Sequence, residues 1–251
     1  MPPPVFSIVT VTFNAEKVLE RTVLSVLNQT YPHIEYLVID GNSTDGTKNI
    51  IGQYASGFAY WVSEPDLGIY DAMNKGLRKA TGNYIWFLNA GDVLPHGNVV
   101  ADLAKVAGQN GIPDILYGGT DLMDANGTVF AARRLVAPKR LTWKSFRKGM
   151  LVCHQAFVAK RVMAPEYDLQ YRFSADFDWC IRCMKVAETI VNSRLRLVNY
   201  LDEGVTTANR KSSLKERYNI MCNYYGTAST IIWHGWFAIR FYWAKWTKQA
   251  V

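Results

Sequence analysis

Residues 6–12 (FSIVTVT) are apolar at almost every second position or better, and polar residues bound the run. That is the pattern of a short strand buried on both faces. Over 16–29 the spacing changes. Apolar positions fall at Val18, Leu19, Val23, Val26 and Leu27, which predicts a helix with one buried face. Residues 34–40 (IEYLVID) read as a second strand. The turn Gly41-Asn42-Ser43-Thr44-Asp45-Gly46 then supplies a helix start, and that helix runs to about Tyr54. A third strand is expected at 58–63, a helix at 69–80 and a fourth strand at 83–89 (NYIWFLN). Alternating strand and helix patterns imply an α/β domain with a mostly parallel central sheet flanked by helices.

The polar residues gather at one end of these strands. Asn14 follows the first, Asp40 the second, Glu64 and Asp66 the third, and Asn89 and Asp92 the fourth. Asn, Asp and Gly are ordinary turn residues, so one such end carries no information. Four on the carboxyl rim of one parallel sheet, where open α/β sheets bind ligands, predict a binding site.

The second half is less regular. Asp124-Ala125-Asn126-Gly127 suits a hairpin turn. Residues 154–159 read as a strand and 174–187 as a helix. The stretch 224–246 carries nine aromatics, and on a helix Ile232, Trp236, Ile239, Trp243 and Trp246 share one stripe. His234, Lys245 and Lys248 fall opposite. A Trp-rich helix flanked by Lys and Arg suits a bilayer interface, the alternative being packing on the domain or on another subunit. The domain reading is residues 1–209, followed by an aromatic-rich helical C-terminal extension over 210–251.

Charge refines this picture. The chain of 251 residues has a formal net charge of +7. Residues 133–148 hold seven basic side chains and no acid, and 210–251 hold seven basic and one acidic. The rest is net acidic. Two basic segments on an acidic body point to anionic partners at particular surfaces, not to nucleic acid. Cys153, Cys180, Cys183 and Cys222 lack the spacing of a disulfide framework or a zinc ribbon, so buried thiols in a reducing compartment are expected. The N-terminus does not read as a signal peptide, and no run of about 18 uncharged apolar residues predicts a membrane span. No Gly-x-Gly-x-x-Gly follows the first strand, which argues against a dinucleotide-dependent redox enzyme.

Five stretches carry a resemblance: FSIVTVTFN at 6–14, TVLSVLNQTYPHIEYLVIDGNSTDGT at 22–47, SEPDLGIYDAMNKGL at 63–77, GNYIWFLNAGD at 82–92 and SADFDWCIR at 174–182. In this order and spacing the chain resembles the family 2 glycosyltransferases over about residues 5–185. Within them it is most similar to bacterial enzymes of capsule, O-antigen or exopolysaccharide assembly. The resemblance implies the GT-A type of fold and inverting transfer from a nucleotide-diphosphate sugar to an acceptor glycan, with a polyprenyl-diphosphate-linked glycan as the expected acceptor. It implies work at the cytoplasmic face of the cell membrane, in peripheral contact with it.

The resemblance implies roles residue by residue. Phe13 would lie against the nucleobase, the alternative being a core aromatic; Asp40 would accept from the base, the alternative being a turn cap; and Asp66 would line the nucleotide pocket, with Asn14, Asn42 and Asn89 beside them. Asn89-Ala90-Gly91-Asp92 stands where family members often carry Asp-Ala-Asp-Asp, so Asp92 alone remains to hold Mg²⁺ or Mn²⁺. This departure leaves metal-independent donor binding open. Asp176 matches the catalytic base, and Asp178 is the competing candidate. His154 contacts acceptor or diphosphate, or is a satisfied structural histidine. Lys75 faces phosphate or solvent, and Arg210-Lys211 sits in a loop able to close over phosphates. Two other readings stay open: a non-catalytic nucleotide-sugar-binding homologue, which the thinned metal motif favours, and a sugar nucleotidyltransferase.

Overall fold

The computed structural model describes residues 2–202 and 210–246. The first four strands are β1 (Phe6–Thr12), β2 (Ile34–Asp40), β3 (Tyr60–Ser63) and β4 (Tyr84–Phe87), all parallel. Between them run α1 (Leu19–Leu27), α2 (Thr47–Tyr54) and α3 (Ile69–Lys79). After β4 come α4 (Val99–Gln109), β5 (Ile115–Met123), β6 (Val129–Ala132), β7 (Phe157–Lys160), α5 (Ala175–Val186) and β8 (Ile190–Leu201). Two helices follow, α6 (Arg210–Tyr225) and α7 (Thr227–Trp246).

The described strands make one sheet in the order β3-β2-β1-β4-β7-β5-β6, with β8 paired to β5. β7 is antiparallel to both β4 and β5, and β6 is antiparallel to β5. The others share one direction, so the sheet is mostly parallel, as expected. Its topological switch point lies at β1, whose neighbours β2 and β4 are reached in opposite directions. This opens a crevice at the carboxyl ends of the strands.

The apolar runs explain why these segments are strands. Every residue of β1 and β4 is buried. A strand covered on both faces is apolar throughout, and β-branched or aromatic side chains fit its pleat. α3 packs against β1 and β2 at very short range. A Cβ added to Gly76 would lie 2.4 Å from Val9 Cγ1 and 3.5 Å from Ile39 Cγ1.

Several expectations shift in detail. The helix expected at 16–29 is shorter, because residues 15–18 form a turn in which Val18 and Leu19 donate to Ala15 O. The strand expected at 154–159 begins only at Phe157. His154–Ala156 is a single 3-10 turn, in which Ala156 N–H bonds to Cys153 O. Lys211 is an exposed residue in the first turn of α6, not part of a loop. The Arg210 side chain, and those of Trp243, Lys245, Trp246 and Lys248, lie outside the described residues. All four cysteines are free, and Cys153, Cys180 and Cys183 are buried. Among the described residues no helix is long and apolar enough to cross a membrane.

The Gly76 contact gives a stability test. Alanine in a helix interior is ordinarily favoured over glycine by about 1 kcal/mol. Here the added methyl meets a stiff, fully buried Val9. Overpacking of that kind costs about 1–3 kcal/mol and outweighs the propensity gain. Gly76→Ala is expected to lower the urea midpoint. A raised midpoint would show that α3 can shift off the sheet.

Candidate active site

The first wall of the crevice comes from the ends of β1, β2 and β3. Asn14 and Asn42 adopt φ of 47° and 63°, left-handed conformations that asparagine tolerates better than most residues. Asn14 Oδ1 accepts from Thr44 N–H at 2.8 Å, and Asn14 N–H donates to Ser43 Oγ at 2.8 Å, tying the first loop to the second. Asn42 Oδ1 accepts from Lys48 Nζ at 2.7 Å. Between the loops Gly41 forms a floor. A Cβ there would stand 2.5 Å from Asp66 Oδ2 and 3.4 Å from Phe13 Cδ2. Asp66 and Phe13 therefore close on the same space, and the Phe13 ring is 62% exposed. An exposed aromatic ring facing a carboxylate offers a stacking surface and a hydrogen-bond acceptor side by side.

Asp40 ends β2 as expected, but in the turn-cap arrangement. It is fully buried. Its Oδ1 accepts from Ser43 Oγ at 2.5 Å, and its Oδ2 accepts from Ser43 N–H at 3.0 Å and Ser63 Oγ at 2.5 Å. In this structure the carboxylate holds the β2 turn against β3 and offers no open acceptor. Lys75 is also spoken for. It pairs with Glu64 Oε1 at 2.9 Å and donates to Pro65 O at 2.7 Å, bracing the third loop.

The second wall joins Asp176 to the end of β4. Asp176 lies in the first turn of α5 and is 8% exposed. Oδ1 accepts from Tyr70 OH at 3.1 Å and from Phe177 N–H at 2.9 Å, while His154 Nδ1 is 3.2 Å from Oδ2. Burial pushes the carboxyl upward. The hydrogen bond and charge of His154, the charge of Arg217 and the Tyr70 hydroxyl together outweigh burial, so its pKa lies below the ordinary value. The group is a carboxylate at neutral pH. Tyr70 is held protonated, first by burial and then by the Asp176 charge, so it stays a donor.

Across the imidazole, His154 Nε2 lies 3.3 Å from Asn89 Nδ2. Asn89 Oδ1 is buried with no hydrogen-bond partner among the described residues. The next residue, Gln155, donates Nε2–H to Asp92 Oδ2 at 2.9 Å, and Leu201 N–H donates to Asp92 Oδ1 at 3.0 Å. Asp92 is 3% exposed, and burial pushes its pKa up to about 6. The Leu201 and Gln155 hydrogen bonds and the charges of His154 and Arg21 pull the other way without overcoming it. Asp92, Asn89, His154 and Asp176 thus form one connected cluster.

Asp178 stands apart from it. Its Oδ2 pairs with Arg182 Nε at 2.6 Å, and its Oδ1 accepts from Tyr224 OH at 2.7 Å. Both oxygens fasten α5, one to its own next turn and one to α6.

The donor set offers a divalent cation few protein ligands. Among the described residues no three His, Cys, Asp or Glu side chains could hold one together. The chemistry fits in a narrower way. Asp92 is a hard anionic oxygen ligand, and the unpartnered Asn89 Oδ1 is a second hard oxygen on the same turn. The remaining positions would belong to substrate oxygens and water, as is common for Mg²⁺.

Glycosyl transferase family 2 matches over residues 7–164, well over half of the sequence. The chain belongs to that family. An uncharacterized glycosyltransferase of Mycobacterium tuberculosis is 36% identical to it over 193 residues, covering 74% of this chain and 71% of the relative. A PGL/p-HBAD biosynthesis glycosyltransferase of Mycobacterium bovis is 34% identical over 193 residues, covering 73% and 71%. The structure of Staphylococcus aureus TarS 1-349 in complex with UDP superposes with a TM-score of 0.68 at 17% identity, covering 90% of this chain and 68% of that one. Against longer TarS coordinates the chain spans 41% of the length. A mannosyltransferase of Pyrobaculum calidifontis, in complex with GDP-Man and Mn²⁺, superposes at 0.63 with 16% identity, covering 86% and 63%. These likenesses establish the GT-A type of fold.

Within this family 2 glycosyltransferase, the sequence pointed to Asp92 and Asp176 and left His154 undecided. It missed Tyr70, Gln155 and Arg217, which are chemically ordinary in sequence and reach the cluster only through tertiary packing. The two carboxylates should separate in a ¹³C NMR titration. Asp92 is expected to titrate near pH 6, and Asp176 below the usual aspartate range. The reverse order would break the charge assignment. In His154→Gln the Asp92 midpoint should stay at about 6 or rise, because His154 pulls it down.

Proposed function

We propose that the chain is an inverting glycosyltransferase that moves a hexosyl or N-acetylhexosaminyl unit from a nucleotide-diphosphate sugar to an acceptor hydroxyl. The acceptor is a glycan carried on a polyprenyl diphosphate lipid, and the setting is surface polysaccharide synthesis at the inner face of the cell membrane. Family membership supports the reaction class. A 31%-identical relative is named a putative teichuronic acid biosynthesis glycosyltransferase of Bacillus subtilis, which supports the polymer class. Solved neighbours in complex with UDP, UDP-GlcNAc and GDP-Man support a nucleotide donor.

The observation that carries the mechanism is the Asp176 carboxylate, ionised and fixed at the start of α5 in the cluster that contains Asp92. Asp176 takes the proton of the acceptor hydroxyl. That oxygen bonds to the anomeric carbon on the face opposite the leaving diphosphate. The bond from carbon to the diphosphate oxygen breaks, and its electron pair departs with the nucleoside diphosphate. Configuration inverts and no covalent enzyme intermediate forms. Tyr70 and His154 hold the carboxylate in place, which favours attack from one direction. Phe13 stacks on the base and Asp66 accepts from it, with Asn14 and Asn42 shaping the loops and Asp40 bracing them. A Mg²⁺ or Mn²⁺ ion held by Asp92, with Asn89, would neutralise charge developing on the diphosphate.

Asp176→Asn is expected to lower kcat by about 10²–10⁴, the range for loss of a general base, while donor binding is retained. Asp178→Asn should retain the pH profile and lose stability, because Arg182 and Tyr224 lose a buried partner. Full activity in Asp176→Asn would remove it as the base. Gly91 in place of a carboxylate favours one other reading, a homologue that binds nucleotide sugar without transferring it. Donor binding with no transfer to any lipid-linked glycan would select that reading.

A thermal-shift screen of nucleoside diphosphates and nucleotide sugars, with and without Mn²⁺, tests the donor site. A ligand at 100 times its Kd stabilises by about 2.7 kcal/mol. The cognate nucleotide should raise Tm by several degrees, more with Mn²⁺. No shift with any nucleotide would overturn the donor reading.

A further inference from the structure

α7 carries apolar side chains on its outward side as well as its inward one. Over residues 228–239 its outward positions are Ala228, Ile231, Ile232, Gly235, Trp236, Ala238 and Ile239, with no polar or charged side chain among them. Ile232 is 71% exposed and Ile239 60%. The inward side is mixed: Trp233 and Phe237 pack against the core, and Thr230 and His234 lie beside them. Thr230 is fully buried and donates to Gly226 O at 2.9 Å, and the His234 ring packs 5.1 Å from Tyr218. A helix that needed only to pack on its own domain would present a polar face outward. A contiguous apolar surface of this kind marks an interaction site.

The rim is cationic. Lys148 Nζ lies 5.9 Å from the Trp233 ring, on the inward side of the same helix. Trp143 stacks on Tyr225 at the end of α6, and both Lys144 and Lys185 lie over Trp143, at 5.6 and 5.7 Å. α7 itself contains no acid. The basic segment 133–148 and the aromatic C-terminal helices, separate features of the sequence, therefore meet at one place.

We propose that the outward face of α7, rimmed by Lys144, Lys148 and Lys185, docks on a bilayer containing anionic lipid. Apolar side chains enter the interfacial layer while lysines pair with headgroup phosphates. Charge decides against a second copy of the chain as occupant, because a face-to-face pair would bring two lysine rims together. The docked face is linked rigidly to the base helix. Ser174 Oγ lies 2.9 Å from Ser213 Oγ, Glu216 accepts from the Arg172 and Phe173 N–H groups, and Arg217 lies over the Phe177 ring. α6 and α7 meet at Gly226, whose φ of 80° makes the turn. Docking thus deepens the reading of a lipid-borne acceptor by holding α5 at the surface where such an acceptor resides, and it rests on that reading only for its purpose.

The test is co-sedimentation of the full chain with vesicles of phosphatidylcholine, alone or mixed with phosphatidylglycerol. Binding is expected to the mixed vesicles, weakening as salt rises. The double variant Ile232→Asp, Trp236→Asp should lower the bound fraction at least about tenfold, with circular dichroism and the nucleotide thermal shift unchanged. Lys144→Glu with Lys148→Glu should remove the preference for phosphatidylglycerol. Unchanged vesicle binding in the first variant would overturn the proposal. So would a wild-type dimer that the first variant splits on light scattering. The nucleotide shift is read separately, so failure of docking and failure of the donor site remain distinguishable.

Discussion

Keeping a buried carboxylate charged at the start of α5 constrains everything around it. Asp176 is 8% exposed, and an unpaired ion at that depth would neutralise itself by taking up a proton. It stays ionised because its neighbours converge from four parts of the chain: Tyr70 from α3, His154 from the turn before β7, Arg217 from α6 and its own helix start. The same residues that hold the charge fix the oxygen positions. Ionisation and orientation therefore come from a single arrangement, and neither can be altered without the other.

The second carboxylate is handled differently. Asp92 has two protein hydrogen bonds, yet burial dominates and leaves it near the point of protonation at mildly acidic pH. The contrast with Asp176 follows from local charge. His154 contacts Asp176 directly and reaches Asp92 only through space. Two carboxyl groups in one cluster thus differ in proton affinity because one imidazole leans toward one of them.

Much of the fold was legible because β1 to β4 are covered on both faces, and such strands leave continuous apolar runs with polar ends. The limits of β2 are those the pattern gave. α4 and β8 were not anticipated. β8 alternates irregularly between buried and exposed positions, and its ladder with β5 shifts register near Arg194, where φ is 61°. Period-two reasoning fails on such a strand. In the site, Asp92 and Asp176 were legible because a strand end and a helix start are places where acids carry meaning. Asp40 was legible as a rim residue and as a turn cap, while its bond to Ser63 depends on the β2–β3 pairing. Tyr70 and Gln155 were hidden because nothing local separates a site tyrosine from a core one.

The reversed direction of β7 has a consequence for how the crevice is assembled. A strand running against its neighbours delivers its entry, not its exit, to the ligand-binding edge. Cys153, His154 and Gln155 reach the crevice by this route, at the end of a long segment with little regular structure that follows the β6 hairpin. That segment is anchored by packing, because Leu141, Phe146, Met150 and Val152 are buried in the core and Phe146 stacks on Phe177 of α5. The crevice is thus bounded by two means: ladder-bonded strand exits on one side, and on the other an approach path set by side-chain packing.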